Sequence, residues 1–112
     1  MTTLTQIQLV APFQLPAADA ATYNPPTQTT AKIGRAVFTN TTASAVTITA
    51  GITTGGALGA ATTMISARVL APGEAYVSPE LAGAVIPAGS SLRVFSNTAT
   101  AVTFTASGLI IQ

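Results

Sequence analysis

Val46-Thr47-Ile48-Thr49-Ala50 and Val102-Thr103-Phe104-Thr105-Ala106 decide the fold class. In both runs apolar residues alternate with threonine, so one face is greasy and the other carries hydroxyls. This period of two is the pattern of a half-buried strand. The stiff χ1 of β-branched side chains costs little on a pleated surface. No apolar stripe of period 3.6 competes with it. Gly59 to Ala67 is the one stretch arguable as a short helix, and Thr62-Thr63 with Ile65 favours a strand there.

Working outward, each run closes a longer motif. Val37-Phe38-Thr39-Asn40 followed by Ala45 to Ala50 matches Val94-Phe95-Ser96-Asn97 followed by Ala101 to Ala106, with a turn one residue shorter in the second copy. Each copy reads as strand, Asn-headed turn, strand, because Asn bonds the backbone two residues on and tolerates positive φ. Two related hairpins are expected. Between them, Ala71-Pro72-Gly73-Glu74 and Pro87-Ala88-Gly89-Ser90 are turns, with Pro setting the first corner and Gly the left-handed second. These turns bound runs at Met64–Leu70, Ala75–Ser78 and Leu81–Ile86. With Ile33–Thr39 and Gly108–Gln112 they make about seven or eight short strands, an all-β sandwich or jelly-roll-like fold. Gly51 to Gly59 reads as a flexible loop.

Residues 1–30 read differently, and the domain division predicted is an extended N-terminal arm at 1–30 and a β-sandwich at 31–112. Pro12, Pro16, Pro25 and Pro26 remove ladder donors and favour extended backbone. The arm carries Ile7, Leu9, Val10, Phe13 and Leu15, so it wants a covering surface. Either it lies on its own sandwich as an edge strand or it crosses onto a neighbour, as segments do in β-augmentation. Ile7, Leu9, Phe13 and Leu15 are therefore interface candidates.

Composition narrows the function. Charged residues make up 6% of the 112-residue chain and the net charge is +1, whereas soluble domains average about 25% charged. Such a surface is expected to be covered by partners, with hydroxyls and amides solvating the rest. Lys32, Arg35, Arg68 and Arg93 are scattered, with no stripe for phosphate neutralisation, so nucleic acid is not an expected partner. Without His or Cys there is no Ser-His or Cys-His nucleophile pair and no ordinary zinc site. The acids are Asp19, Glu74 and Glu80. Glu74 and Glu80 are the one pair arguable as glycosidase carboxylates, and they read better as solvated turn residues or partners for Arg68 and Arg93. Three separated acids do not suit Ca²⁺. Thr54 to Gly59 lacks the Gly-Lys-Ser/Thr ending of a phosphate loop. No enzyme, cofactor or metal is expected.

Asn40-Thr41-Thr42 is a glycosylation sequon inside a turn. Met1-Thr2-Thr3-Leu4-Thr5 does not open a secretory signal, and no apolar run reaches the about 18 residues of a membrane span. The chain is expected to be made in a cytoplasm. Phe38 and Phe95 follow a valine in each copy, so both faces of those strands carry an apolar residue. Burial statistics favour Phe inward and Val under the arm. The reverse placement sets Phe95 beside Arg93 and Asn97 as an interface anchor.

Tyr23-Asn24-Pro25-Pro26, Thr29 to Ile33, Phe38-Thr39-Asn40-Thr41-Thr42 and Val46-Thr47-Ile48 together resemble small virion proteins of tailed bacteriophages. The pattern continues in Leu70 to Glu74, Ile86 to Leu92 and Ala101 to Gly108, and covers residues 22 to 112. Gly89-Ser90 stands where relatives often carry Gly-Asp. The resemblance implies a β-sandwich on a virion, decorating the capsid or sitting at the neck, tail or fibre base. With the low charge it leads us to expect a capsid decoration or cement protein acting as a homo-oligomer, a trimer, held against the major capsid protein or other virion proteins, with no membrane partner. A glycan- or receptor-binding module is the alternative. It predicts an exposed polar-aromatic cluster, and the chain has two Tyr and no Trp.

Overall fold

A computed structural model describes residues 4–112. The strands are β1 (Leu4–Gln14), β2 (Ala21–Tyr23), β3 (Thr30–Asn40), β4 (Val46–Thr53), β5 (Thr63–Leu70), β6 (Ala75–Val77), β7 (Val85–Ile86), β8 (Ser91–Ser96) and β9 (Val102–Ile111). Residues 1–3, including the start of the predicted arm, lie outside the described residues.

One sheet has the order β1-β9-β3-β6, with β7 beside β3, and the other β2-β8-β4-β5. The pairings nest. β1 pairs β9, β2 pairs β8, β3 pairs β6 and β7, and β4 pairs β5, all antiparallel. The chain thus doubles back between β4 and β5 into one long antiparallel ladder. That ladder rolls up until β9 also meets β3 and β8 also meets β4. This is a jelly roll, two antiparallel sheets wrapped face to face. The all-β sandwich predicted from alternation is the fold found.

Between the sheets lie Phe38, Phe104, Ile33, Ile48, Leu70, Val94 and Val102, all buried. The Phe38 and Phe104 ring centres are 4.7 Å apart, and Phe13 meets Phe104 edge-on at 6.4 Å. Such aromatic pairs add to area burial. Val46, Ile48 and Ala50 face inward with Thr47 and Thr49 turned outward, as the alternation requires.

Both copies of the repeat are strand, turn, strand, but neither is a hairpin. β3 and β4 lie in different sheets, as do β8 and β9, so each copy is an arch over the end of the core. The turns also have equal length: β3 ends at Asn40 and β4 begins at Val46, while β8 ends at Ser96 and β9 begins at Val102. The structural equivalent of Asn40 is therefore Ser96, not Asn97. Asn40 Oδ1 accepts the Thr42 N–H at 3.0 Å, and Ser96 Oγ accepts the Thr98 N–H at 3.2 Å. Each buried side chain holds the backbone two residues on.

That one-residue offset decides the phenylalanines. A shift of one residue moves a strand's side chains to the other face. Phe38 is buried with Val37 half-exposed, whereas Val94 is buried and Phe95 is half-exposed. The inward expectation holds for Phe38 and reverses for Phe95.

Two further expectations change. Gly51 to Thr53 belong to β4, so the loop begins at Thr54. Of Leu81 to Ile86, only Val85 and Ile86 are strand. Leu81 is buried in a turn, its N–H donated to Ser78 Oγ at 3.1 Å.

Candidate interaction surfaces

The predicted arm is part of the roll. Leu4–Gln14 is an edge strand on β9, and Ala21–Tyr23 is the edge strand of the other sheet on β8. Pro12 is accommodated because β1 is an edge, and the register shifts between Val10 and Phe13. The corner between these strands is held by Leu15 N–H to Val102 O at 2.8 Å, Thr100 N–H to Leu15 O at 3.2 Å and Ser96 N–H to Pro16 O at 3.1 Å. The division at residue 30 therefore does not separate an arm from a domain. Of the two placements weighed, the chain's own sandwich is the one found.

The interface candidates separate accordingly. Leu9, Leu15 and Phe38 are buried in the chain's own core and offer nothing to a partner. Ile7 and Phe13 remain 43% and 37% exposed. Phe95 sits outward among threonines, opposite Thr49. Arg93 lies on the same outer side, but its Nε donates to Asp19 Oδ1 at 2.6 Å. Replacing Phe95 by Thr is expected to cost folding less than about 1 kcal/mol, measured by urea unfolding, because the ring leaves no core cavity.

Asp19 does more than pair with Arg93. It accepts the Leu58 N–H at 2.9 Å and so ties the β1–β2 connection to the β4–β5 loop. The Arg93 hydrogen bond, ahead of the opposing effect of burial, holds its carboxyl below the usual carboxylate range. A carboxyl depressed in the folded state stabilises above its unfolded pKa, and that stability is lost as pH falls through the folded value. Asp19→Ala should therefore cost about 1 kcal/mol at pH 7, with the difference from wild type shrinking in thermal melts as pH falls through the folded value.

The opposite flank, where β5 faces β6, is latched by Arg68. Its guanidinium carbon lies 3.9 Å from the centre of the Tyr76 ring. The Tyr76 hydroxyl donates to Glu80 Oε1, and Ser78 Oγ donates to the same oxygen at 3.2 Å. The Tyr76 bond, first, lowers the Glu80 pKa; burial, first, raises that of Tyr76. Glu74 accepts the Ala71 N–H at 2.7 Å inside its own turn. The two glutamates thus serve separate local structures, and Arg93 pairs with Asp19 rather than with either.

Among the described residues no group of three or more His, Cys, Asp or Glu could hold a metal ion, and no helix is long and apolar enough to cross a membrane. Asn40, the sequon residue, is buried with its side-chain nitrogen bonded to three carbonyls, so the folded chain does not present it.

The most exposed apolar feature is where the first sheet overhangs the second. Leu4 to Gln8 are exposed on both faces, beside Ser107 to Ile111 of β9. Leu4 is 63% exposed. At the inner end of this wing an open depression of about 720 Å³ lies over Gly34 and Gly108, rimmed by Gln6, Ile7, Gln8 and Lys32.

No family model and no curated protein matches the chain. Its fold resembles part of a chain in the infectious bursal disease virus VP2 subviral particle, with 16% identity, a TM-score of 0.55 and 98% of this chain covered. The structure of the Gx strain of the same virus matches at 17% identity and a TM-score of 0.52 over 99% of this chain. In both cases the chain spans 32% of the neighbour's length. At such identities the likeness is one of fold: the jelly roll found here also occurs within a protein of a virus particle.

Proposed function

We propose that this chain is a non-enzymatic structural protein of a virus particle. The observation that carries the reading is a jelly roll, like one in a viral particle protein over 98% of this chain, joined to a surface almost without charge. Of the chain's seven charged side chains, Arg93 and Asp19 bond each other while Arg68, Glu74 and Glu80 are spent on local latches and turns. Lys32 and Arg35 remain for solvent. A surface of that kind is suited to contact with other protein copies rather than to life as a dispersed monomer.

The finer reading is a decoration or cement protein of a tailed-bacteriophage head, made in the host cytoplasm. It is supported by the resemblance of residues 22 to 112 to small phage virion proteins. In that role it is a trimer at symmetric capsid positions, where repeated weak contacts with the major capsid protein sum to tight retention. A neck, tail or fibre-base position would use the same surfaces.

A glycan- or receptor-binding module is less well supported. Tyr23 packs on the core and Tyr76 is engaged by Arg68 and Glu80, so neither offers an open stacking platform.

The test is quantitative mass spectrometry of gradient-purified particles of the encoding virus. The reading expects a fixed stoichiometric ratio to the major capsid protein that survives high salt. Absence from particles that contain all other structural proteins would overturn it. Deleting residues 2–16 is no test of assembly, since Leu9, Val10 and Leu15 belong to the core. Ile7→Glu with Phe95→Glu leaves the core intact and should lower retention on particles at least tenfold.

A further inference from the structure

We propose that two copies of this chain associate through the edge of β1, with Leu4–Gln8 of each pairing antiparallel about a twofold axis. The first sheet of one copy would then run into that of the other.

A free strand edge presents a row of unpaired N–H and C=O groups, and proteins that stay monomeric blunt such edges with charge, bulges or shortness. Of the five edge strands among the described residues, four are blunted. β2 and β6 have three residues each and β7 has two. β5 is longer but carries Arg68 and is bulged at Ala67, whose φ is 46°. The first half of β1 has none of these protections. From Leu4↔Ile111 to Gln8↔Ser107 its ladder with β9 runs without a register shift, and among the described strands β1 pairs with β9 alone.

The same contrast selects the occupant. A head-to-tail contact requires a second long, straight edge to receive β1, and the described strands supply none. An isologous contact requires only the one edge, used twice. Leu4 to Gln14 contains no charged residue, so the strand meets no like charge when it meets itself. Leu4 and Ile7, exposed in the single chain, would gain cover from the partner's strand. This contact is separate from any threefold contact of a virion trimer. It would join neighbouring trimers, or pair free chains.

Since the chain has no cysteine, single-cysteine variants report the contact directly. Facing residues of an antiparallel pair approach within disulfide range. Among Leu4→Cys, Thr5→Cys, Gln6→Cys, Ile7→Cys and Gln8→Cys, those at the axis are expected to oxidise to covalent dimers, whereas Ala75→Cys on β6 stays uncrosslinked. Light scattering should give an even number of chains for wild type, halved by Ile7→Lys with the circular dichroism spectrum unchanged. A wild type with an odd chain number, crosslinking at Ala75→Cys equal to that along β1, or an Ile7→Lys oligomer of wild-type size would overturn the proposal. Crosslinks from β1 that form only to another protein in assembled particles would also overturn it, while leaving the virion role standing.

Discussion

Asn40→Leu should lower stability by about 3–5 kcal/mol, moving the urea midpoint down by about 2 M. Among the described residues no other polar side chain holds so much. Its Nδ2 donates to Ser44 O at 2.8 Å and to Leu70 O and Ala71 O at 3.2 Å each. Its Oδ1 accepts from the Thr42 N–H at 3.0 Å and from Thr42 Oγ1 at 2.7 Å. Its own N–H reaches Glu74 O at 2.9 Å. One residue thus fixes the β3–β4 arch and binds it to the β5–β6 turn. Leucine fills the volume but leaves carbonyls without a donor, and an unmade buried hydrogen bond costs more than a made one contributes.

Asn40→Asp separates charge from shape. The carboxylate would face the Ser44, Leu70 and Ala71 carbonyls with nothing to donate, so its pKa rises in the folded state. The penalty then grows as pH climbs above the unfolded value of about 3.9. Asn40→Asp should be far closer to wild type at pH 4 than at pH 8. Equal loss at both would show that the side chain acts by packing alone. Ser96→Ala, at the equivalent place in the other arch, should cost only about 1 kcal/mol, because the Ser96 hydroxyl bonds only Thr98 in its own turn, while the Ser96 N–H to Pro16 O bond survives the substitution.

Gly108→Ala is the second large effect, expected at about 3–5 kcal/mol. A Cβ there would stand 1.9 Å from Lys32 O and 2.9 Å from Gly34 N. Both obstacles are backbone, so no side chain can swing aside; β9 must lift off β3. The site coincides with the register shift between Ile33 and Arg35, where Gly34 is the extra residue of β3. Gly34→Ala is the control. Its Cβ would meet nothing nearer than 3.5 Å, an ordinary contact, and should cost less than about 1 kcal/mol. Similar losses for the two would mean that strand propensity, not close approach, keeps glycine in this bulge. Since Gly108 also sits under the wing, Gly108→Ala should weaken β1 pairing as well.

The sequence made the strands and their facing legible wherever alternation was unbroken, as at Val46 to Ala50 and Val102 to Ala106. Turn chemistry was equally legible at Pro72-Gly73 and Pro87-Ala88-Gly89. What local signals could not carry was partnership. A five-residue turn headed by a polar side chain can return a strand to its neighbour or throw it across to the other sheet. The choice rests on β3 finding β9 and β4 finding β8, contacts far apart in the chain. The repeat misled for a related reason. Aligning Asn40 with Asn97 respected residue type, whereas the roll respects face parity, and Ser96 keeps parity. Had the buried side chain, not the amide, been taken as the marker, Phe95 would have read as outward. The N-terminal segment read as an arm because prolines interrupt it, yet Leu9, Val10 and Leu15 fall where the roll needs core. Of the apolar side chains left at the surface, Ile7, Phe13 and Phe95 were reachable from pattern. The exposed wing at Leu4 to Gln8 was not, since it follows from one sheet being longer than the other.

As a structural protein of a virus particle, the role proposed for it, this low-charge jelly roll is built into the particle itself. Electron cryomicroscopy of purified particles tests it most directly. Density for the two-sheet roll is expected at symmetry-related positions on the head, with Phe95 or the β1 edge turned toward neighbouring protein. Particles whose every ordered density is accounted for by other chains, with this one left in the soluble fraction, would contradict it.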